Sequence, residues 1–490
     1  MTHPAVSNKL TAKAAFLALL KRIHFYIGLF VGPFIFVAAL TGTLYVLTPQ
    51  LENHLYAHEL YTSSRGDIQP LSRQIEAAQA VAGGNVKIYA VRPSPAQGQT
   101  TRVMFSDPEL GASKSRAMFV DPVTLKTLGE LTVYGTSGIL PFRTWLDELH
   151  RGLLLGDLGR NYSELAASWL WVAALGGVVL WVTGRKKIRS NLKLRGIAAK
   201  QHNSRRWHSW LGLTLIAGLL FLSVTGLTWS QWAGDNISLL RAKMGWMTPS
   251  VSTHLLAGTP ALPMDEHADH HAANNSSMNM PDMPEMNMAE KQPASVTAAV
   301  TVLPVVFDQV VNAARHAGIN AAKIEIRPAY TADKAWTVTE VDRRWPTRVD
   351  AVSVNPGTLA IIDHTRFAHF PLLAKLTRWG VDAHMGILFG IWNQIILVAF
   401  GLGLCLMIGW GYRLWWLRRP QMNSTSNPGL TLMHTWQRMP FSLQCPVLLV
   451  VICLSLSLPL MGVSLVIFLL IDIVRWKRQL SIFTPTSTLN

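Results

Sequence analysis

Four histidines stand where apolar stretches begin: His24 in RIHFYIGL, His208 in RRWHSWLGL, His150 in ELHRGLLLG and His384 in DAHMGILFG. A lone histidine at the end of a span is more often an interfacial residue with no task. These recur as matched sets. His24, Gly28, Thr41 and Gly42 match His208, Gly212, Thr225 and Gly226 at a constant offset of 184. Trp145, His150, Gly152 and Gly156 match Trp379, His384, Gly386 and Gly390 at an offset of 234, which also aligns VDPVTL at Val120 with VNPGTL at Val354. Two imidazoles on opposite sides of one iron make the six-coordinate haem site used for electron transfer. Ionisable residues inside a membrane are functional candidates by default. The reading is therefore two bis-histidine haems, one on His24 and His208, the other on His150 and His384. Zinc lacks matched third and fourth ligands, and no C-x-x-C-H stands in the chain to attach a haem covalently.

These histidines need helices to hold them. Among the 490 residues, 49% are hydrophobic, and four apolar stretches are long enough to span a bilayer: Phe25–Leu47, Ala166–Val182, His208–Trp229 and His384–Trp410. The first is too long for the apolar region of a signal peptide and is followed by no small-residue cleavage site, so it is read as a retained span. The net charge of +16 does not indicate nucleic acid. Its lysines and arginines cluster at span ends, in Lys9–Arg22, in GRKKIRSNLKLRGIAAKQHNSRRW and in RLWWLRRP. By the positive-inside rule those segments are cytoplasmic and the two long intervening segments are exported. Cys405, Cys445 and Cys453 lie in or beside apolar runs, so the exported parts fold without disulfides.

The expected architecture is a membrane α-helical bundle of two parallel helix–domain–helix repeats, four core spans plus a C-terminal apolar segment, with two external α+β domains. Residues 1–47 form the cytoplasmic N-terminus and first helix, 48–149 the first external domain, 150–184 the second helix and 185–207 a basic cytoplasmic loop. Residues 208–230 form the third helix, 231–382 the second external domain with an insert at 264–292, and 383–417 the fourth helix. A loop at 418–445, an apolar segment at 446–474 and a tail at 475–490 complete the chain. As one helix the segment 446–474 exports Arg475, Lys477 and Arg478 against the charge rule, whereas broken at Pro459 each arm is short, so a kinked span and a re-entrant pair both stay open. In the external parts LSRQIEAAQAVA and VFDQVVNAARHAG have helical periodicity, and VKIYAVRP, TRVMFS, AKIEIRP and AWTVTEV read as strands.

Gly28 and Gly212, four residues after their histidines, fall on the same helix face and leave room for a flat macrocycle. Gly152, Gly156, Gly386 and Gly390 suit small-xxx-small helix packing instead. Arg22 and Arg206 adjoin the inner histidines and Arg151 and Arg378 the outer ones. They are candidate partners of haem propionates, although topology and snorkelling also account for basic residues there.

Taken together, RIHFYIGL with TGTLY, ELHRGLLLG, RRWHSWLGL with TGL, and DAHMGILFG resemble the PepSY-associated transmembrane proteins over about residues 15–415. That group includes iron-regulated inner-membrane proteins and ferric-siderophore reductases. The resemblance implies b-type haem ligated by His24, His208, His150 and His384, a bacterial inner membrane, and periplasmic PepSY-type domains. The expected activity is then transmembrane di-haem oxidoreduction. Electrons pass from a cytoplasmic reductase or the quinol pool to an external metal complex, a ferric-siderophore first of all. No G-x-G-x-x-G lies in the chain, so a nicotinamide cofactor belongs to a partner. No group is assigned a covalent catalytic role.

HADHHAANNSSMNMPDMPEMNM departs from the family pattern. Its composition is that of a disordered loop, yet thioether suits Cu(I) and imidazole Cu(II). His267, His270, His271, Met278, Met280, Met283, Met286 and Met288 are therefore candidate copper ligands. Cupric reduction or copper handling is the variant reading. A non-redox PepSY membrane anchor that regulates periplasmic partners is the rival from another class.

Overall fold

The computed structural model describes residues 11–83, 86–111, 113–184, 195–255, 300–419 and 432–483. The chain divides into two units, one of residues 1–44, 148–239 and 395–490, the other of residues 45–147 and 240–394. The first is helical and apolar. Four of its helices are long and apolar enough to cross a membrane: Ala12–Val46, Gly156–Gly184, Ile391–Leu417 and Pro459–Lys477. The helices Gly196–Thr214 and Ile216–Thr228 pass the same test as a pair bent by 62°. Small residues let these helices approach closely, as membrane packing requires. A Cβ on Gly218 would lie 2.2 Å from the Phe400 ring, and one on Gly401 would lie 2.0 Å from Thr43 Oγ1.

The first helix is not uniform. Ala12–Tyr26 gives way to a π-helical turn, Ile27–Val31, and resumes as Gly32–Val46. Leu215 separates the two bent helices, and an offset of 184 relates Val31 to Leu215. Each break follows its histidine by about two turns. Such interruptions of the regular ladder commonly mark functional sites.

The C-terminal apolar segment is a helical pair, Phe441–Ser457 and Pro459–Phe483, hinged at Leu458. At its turn Asn236 Nδ2 donates to the carbonyls of Leu456 and Ser457 at 3.3 and 3.1 Å. At its far end the fully buried Asp472 accepts from the Tyr26 hydroxyl and from the Met433 N–H (2.8 Å), and Arg475 reaches Tyr26 Oη at 3.3 Å. The second arm therefore returns Arg475 and Lys477 to the end of the bundle that carries Lys21 and Arg22. The sequence made the arms too short because it counted only residues 446–474. Helix continues through polar residues on both sides. Midway, Phe468 packs on Phe30 and Trp169, and Trp169 Nε1 donates to Ser464 Oγ at 2.8 Å.

The second unit is an α+β layer pair. Both long inter-span segments contribute to a single antiparallel sheet of eight strands: β1 Ile88–Arg92, β2 Thr101–Ser106, β3 Lys114–Val120, β4 Thr127–Tyr134, β5 Ile324–Arg327, β6 Trp336–Glu340, β7 Ala351–Val354 and β8 Ile361–Thr365. Their order is β4-β3-β2-β1-β5-β6-β7-β8, and β1 joins β5 at Val91 opposite Ile326. The sequence anticipated a separate domain from each segment; they share one sheet. Helices Leu71–Ala82 and Pro304–His316 bring Leu71, Ile75 and Ala78 together with Phe307, Val310 and Ala314 in the core against that sheet. This follows from apolar residues three to four apart on each helix. Asp308 ties the helices together by accepting from the Leu71 and Ser72 N–H groups at 2.8 and 3.1 Å.

Each half carries the same turn after its third strand. Asp121 Oδ1 accepts from the N–H groups of Val123 and Thr124, as Asn355 Oδ1 does from Gly357 and Thr358. Leu125 and Leu359 both take the left-handed backbone, at φ 63° and 59°. Asp121 is further held by the hydroxyls of Thr62 and Ser64. Burial pushes its carboxyl up, but the bonds from Ser64, Val123, Thr124 and Thr62 win and bring it down to about 2.

Candidate functional site

His24 and His208 face each other inside the helical unit. Their ring centroids are 6.2 Å apart and the ring planes cross at 80°. Imidazole nitrogens bind first-row metal ions at about 2.0–2.1 Å, so two nitrogens in line across one ion, each about 1.1 Å from its ring centre, set the centroids about 6.3 Å apart. The observed spacing matches that, and it is also the spacing of an edge-to-face ring pair.

The surroundings of the two rings correspond. His208 Nδ1 donates to the Met407 carbonyl at 2.9 Å, and a Cβ on Gly411 would lie 3.4 Å from the His208 ring. The offset of 234 takes Met407 back to Ala173 and Gly411 back to Gly177. A Cβ on Gly177 would lie 3.3 Å from His24 Cε1. His24 Nδ1 is buried beside the Ala173 carbonyl without closing a hydrogen bond of normal geometry. A carbonyl can only accept, so Nδ1 of His208 carries the hydrogen and Nε2 keeps its lone pair. Such a partner fixes the tautomer and orientation of a metal-ligating histidine. Space exists beside the pair. A Cβ on Gly28 would meet nothing within 4 Å, and one on Gly212 only Met407 Sδ, at 3.4 Å.

His150 is placed by a different device. It lies in the last turn of helix Pro141–Gly152, and the next helix begins only at Gly156. The apolar run GLLLG reads as continuous helix, but Leu153, Leu154 and Gly156 take positive φ of 52°, 60° and 59° and break it. Gly390, at the matching position before the span Ile391–Leu417, has φ 58°, and Gly386 has 73°. Gly156, Gly386 and Gly390 therefore serve as turn residues, where a side chain is strained, rather than as helix-packing positions. Gly152 does pack closely, since a Cβ on Gly159 would overlap its carbonyl.

The His150 ring rests on Gly42, where a Cβ would come within 3.0 Å of Cε1, and its Nδ1 lies 3.0 Å from Thr41 Oγ1. Thr41 donates its hydroxyl hydrogen to the Val37 carbonyl at 2.7 Å, so it accepts from His150. With Nδ1 donating, Nε2 of a neutral His150 keeps its lone pair. The repeated Thr-Gly pair was visible in the sequence, but the ring it supports was not.

His384 ends helix Leu372–His384 in the other unit and is partly buried. Two residues earlier the fully buried Asp382 takes a bond from Arg343 Nε at 2.6 Å and lies 3.4 Å from Arg378 Nε. Arg343 also donates to Ser137 Oγ at 3.0 Å. Its guanidinium is pushed down by burial and by Arg378, with Asp382 opposing. Of the proposed propionate partners, Arg378 thus already faces an acid. Arg22 is half-buried near Tyr26, Arg475 and Asp472, Arg206 is exposed, and Arg151 is partly buried at the helix end, its carbonyl accepting from Ser163 Oγ at 2.8 Å. His267, His270, His271, Met278, Met280, Met283, Met286 and Met288 lie outside the described residues.

Among the described residues no three His, Cys, Asp or Glu side chains gather as a metal site. The His24–His208 pair therefore offers two imidazoles with no third His, Cys, Asp or Glu grouped with them among the described residues. That set suits a metal whose other ligands come from a planar macrocycle, not four-coordinate zinc. The donors, spacing and adjoining glycines fit a haem.

The family comparison falls on the same residues. The PepSY-associated TM region matches residues 21–418, a stretch that contains all four histidines, and the chain belongs to that family. Among curated proteins none matches it. It is a multi-pass membrane protein with a separate antiparallel-sheet unit.

Proposed function

We propose that this chain is a transmembrane di-haem b oxidoreductase, with two parallel repeats, its N-terminus in the cytoplasm of a bacterial inner membrane and its sheet unit in the periplasm. The opposed rings of His24 and His208 at 6.2 Å carry this reading. His24 and His208 hold the inner haem, His150 and His384 the outer. Each haem, when bound, supplies one-electron transfer between quinol or a cytoplasmic reductase and a periplasmic metal complex, for which a ferric-siderophore is the leading candidate. The protein's own part is positional. The Met407 carbonyl and Thr41 Oγ1 hold imidazole Nδ1 hydrogens and present Nε2, and Gly177, Gly411 and Gly42 let each ring lie against a neighbouring helix. The distance from His24 to Thr41 along their helix, 17 residues at about 1.5 Å, is roughly 26 Å, so one site stands near each membrane face. With its helix end returned by the C-terminal pair, Arg475 lies at the same end as Lys21 and Arg22, in keeping with the charge rule.

The test is a reduced-minus-oxidised spectrum of the purified protein. A b-type α-band with two haems per chain is expected, and His24→Ala or His208→Ala should leave one. A colourless preparation would instead favour the membrane anchor without redox chemistry. Reoxidation of the reduced protein by ferric-siderophores against cupric complexes identifies the acceptor.

A further inference from the structure

We propose that Arg143 and Tyr45 form a binding site for a carboxylate group. Arg143 is only 9% exposed, and its Nε and Nη2 are buried without a hydrogen bond. These two nitrogens form one edge of the guanidinium, the edge that takes a carboxylate through two parallel bonds. The guanidinium lies over the Tyr45 ring, with Cζ 4.8 Å from its centroid, and the buried Tyr45 Oη interacts with the same guanidinium. Buried charged donors left unpaired are costly and rare.

Acids in this unit do not fill the edge. Glu52 uses Oε1 on the Arg143 main-chain N–H, at 3.2 Å. Asp382 is held by Arg343 and Arg378. Asp147 faces Tyr45 one turn further along the Arg143 helix and has an interaction of its own. Arg343 adds positive potential on the Tyr45 side. The Nε–Nη2 edge of Arg143 is thus left without a hydrogen-bonded carboxylate among the described residues, although Glu52 and Asp147 stand near it. A porphyrin propionate or a carboxylate of a soluble chelate would supply one; the first source rests on the haem reading, the second does not.

The experiment uses full-length protein in nanodiscs, with citrate as the soluble probe and inorganic phosphate as control. Arg143→Met should weaken citrate binding by about 10- to 100-fold, the effect of losing hydrogen bonds to a charged group. Haem content that stays unchanged then assigns a soluble source. If wild type binds no citrate but Arg143→Met lowers the content or shifts the midpoint potential of one haem, the source is the propionate. Arg143→Lys should restore part of either effect. Tyr45→Phe should act in the same direction but less, and it decides the matter should Arg143→Met fail to fold. Phosphate competing as well as citrate would overturn the carboxylate assignment. So would unchanged citrate binding, haem content and potential in both variants. Colourless wild-type protein would end the haem reading while leaving the citrate measurement to judge this site.

Discussion

His208 Nδ1 donates to the Met407 carbonyl at 2.9 Å, and Gly411, one turn beyond Met407, lies under the same ring. A main-chain acceptor cannot be removed by substitution, but the glycine can be filled. Gly411→Ala puts a methyl group 3.4 Å from the imidazole, which the ring can tolerate, whereas Gly411→Leu cannot be placed without turning it. We expect Gly411→Ala to keep both haems and Gly411→Leu to lose one, read by pyridine haemochrome. Gly177→Leu should do the same through His24.

Thr41→Val removes the acceptor that holds His150 in its Nδ1–H form. Thr41→Ser keeps it. The ferric low-spin electron paramagnetic resonance signal of one haem should shift or broaden in Thr41→Val and be unchanged in Thr41→Ser. A signal identical in all three proteins would detach Thr41 from the site.

Asp472 is a buried acid bonded to Tyr26 and to the Met433 N–H. Asp472→Ala leaves those donors unpaired and should lower stability by about 2–4 kcal/mol. Loss of the bundle's monodisperse peak at a lower temperature during heated gel filtration checks it. The same hairpin predicts that reporter fusions at residues 1 and 490 lie on one side of the membrane.

Asp121 gives a pH dependence of known sign. Its folded pKa, about 2, is below the unfolded carboxyl's, so its contribution is full above about pH 4 and disappears as pH falls toward 2. The shift corresponds to about 2 kcal/mol. Asp121→Asn keeps the turn that Asn355 makes without charge, so it should abolish the acid-dependent part of the melting-temperature loss while costing about 1–2 kcal/mol at neutral pH. Identical acid profiles for the two proteins would refute this.

The apolar spans and the His24–His208 pair were legible because length and spacing are what a sequence displays. The offset of 184 pointed to His24 and His208 as partners, and their rings do lie together. Other features were hidden for physical reasons. The break at Leu153–Gly156 depends on left-handed leucines in an apolar run that every pattern rule reads as helix. The C-terminal pair extends past its apolar stretch because Asp472 and Arg475 find partners on Tyr26, a tertiary fact. The contact of Gly177 and Gly411 with imidazoles is one of several uses a glycine in a span can have. Arg143 reads as an ordinary basic residue until its burial is known.

The pairing of β1 with β5 also bears on how the chain is made. Val91 must wait for Ile326, which is 235 residues later; at about 5–20 residues per second that is roughly 12–47 s of synthesis. Until then the apolar flank of Leu71–Ala82 has no Phe307 to cover it and the edge of β1 stays open. The first half of the sheet thus emerges as a nascent intermediate whose open strand edge and uncovered apolar flank are closed only when the second half arrives.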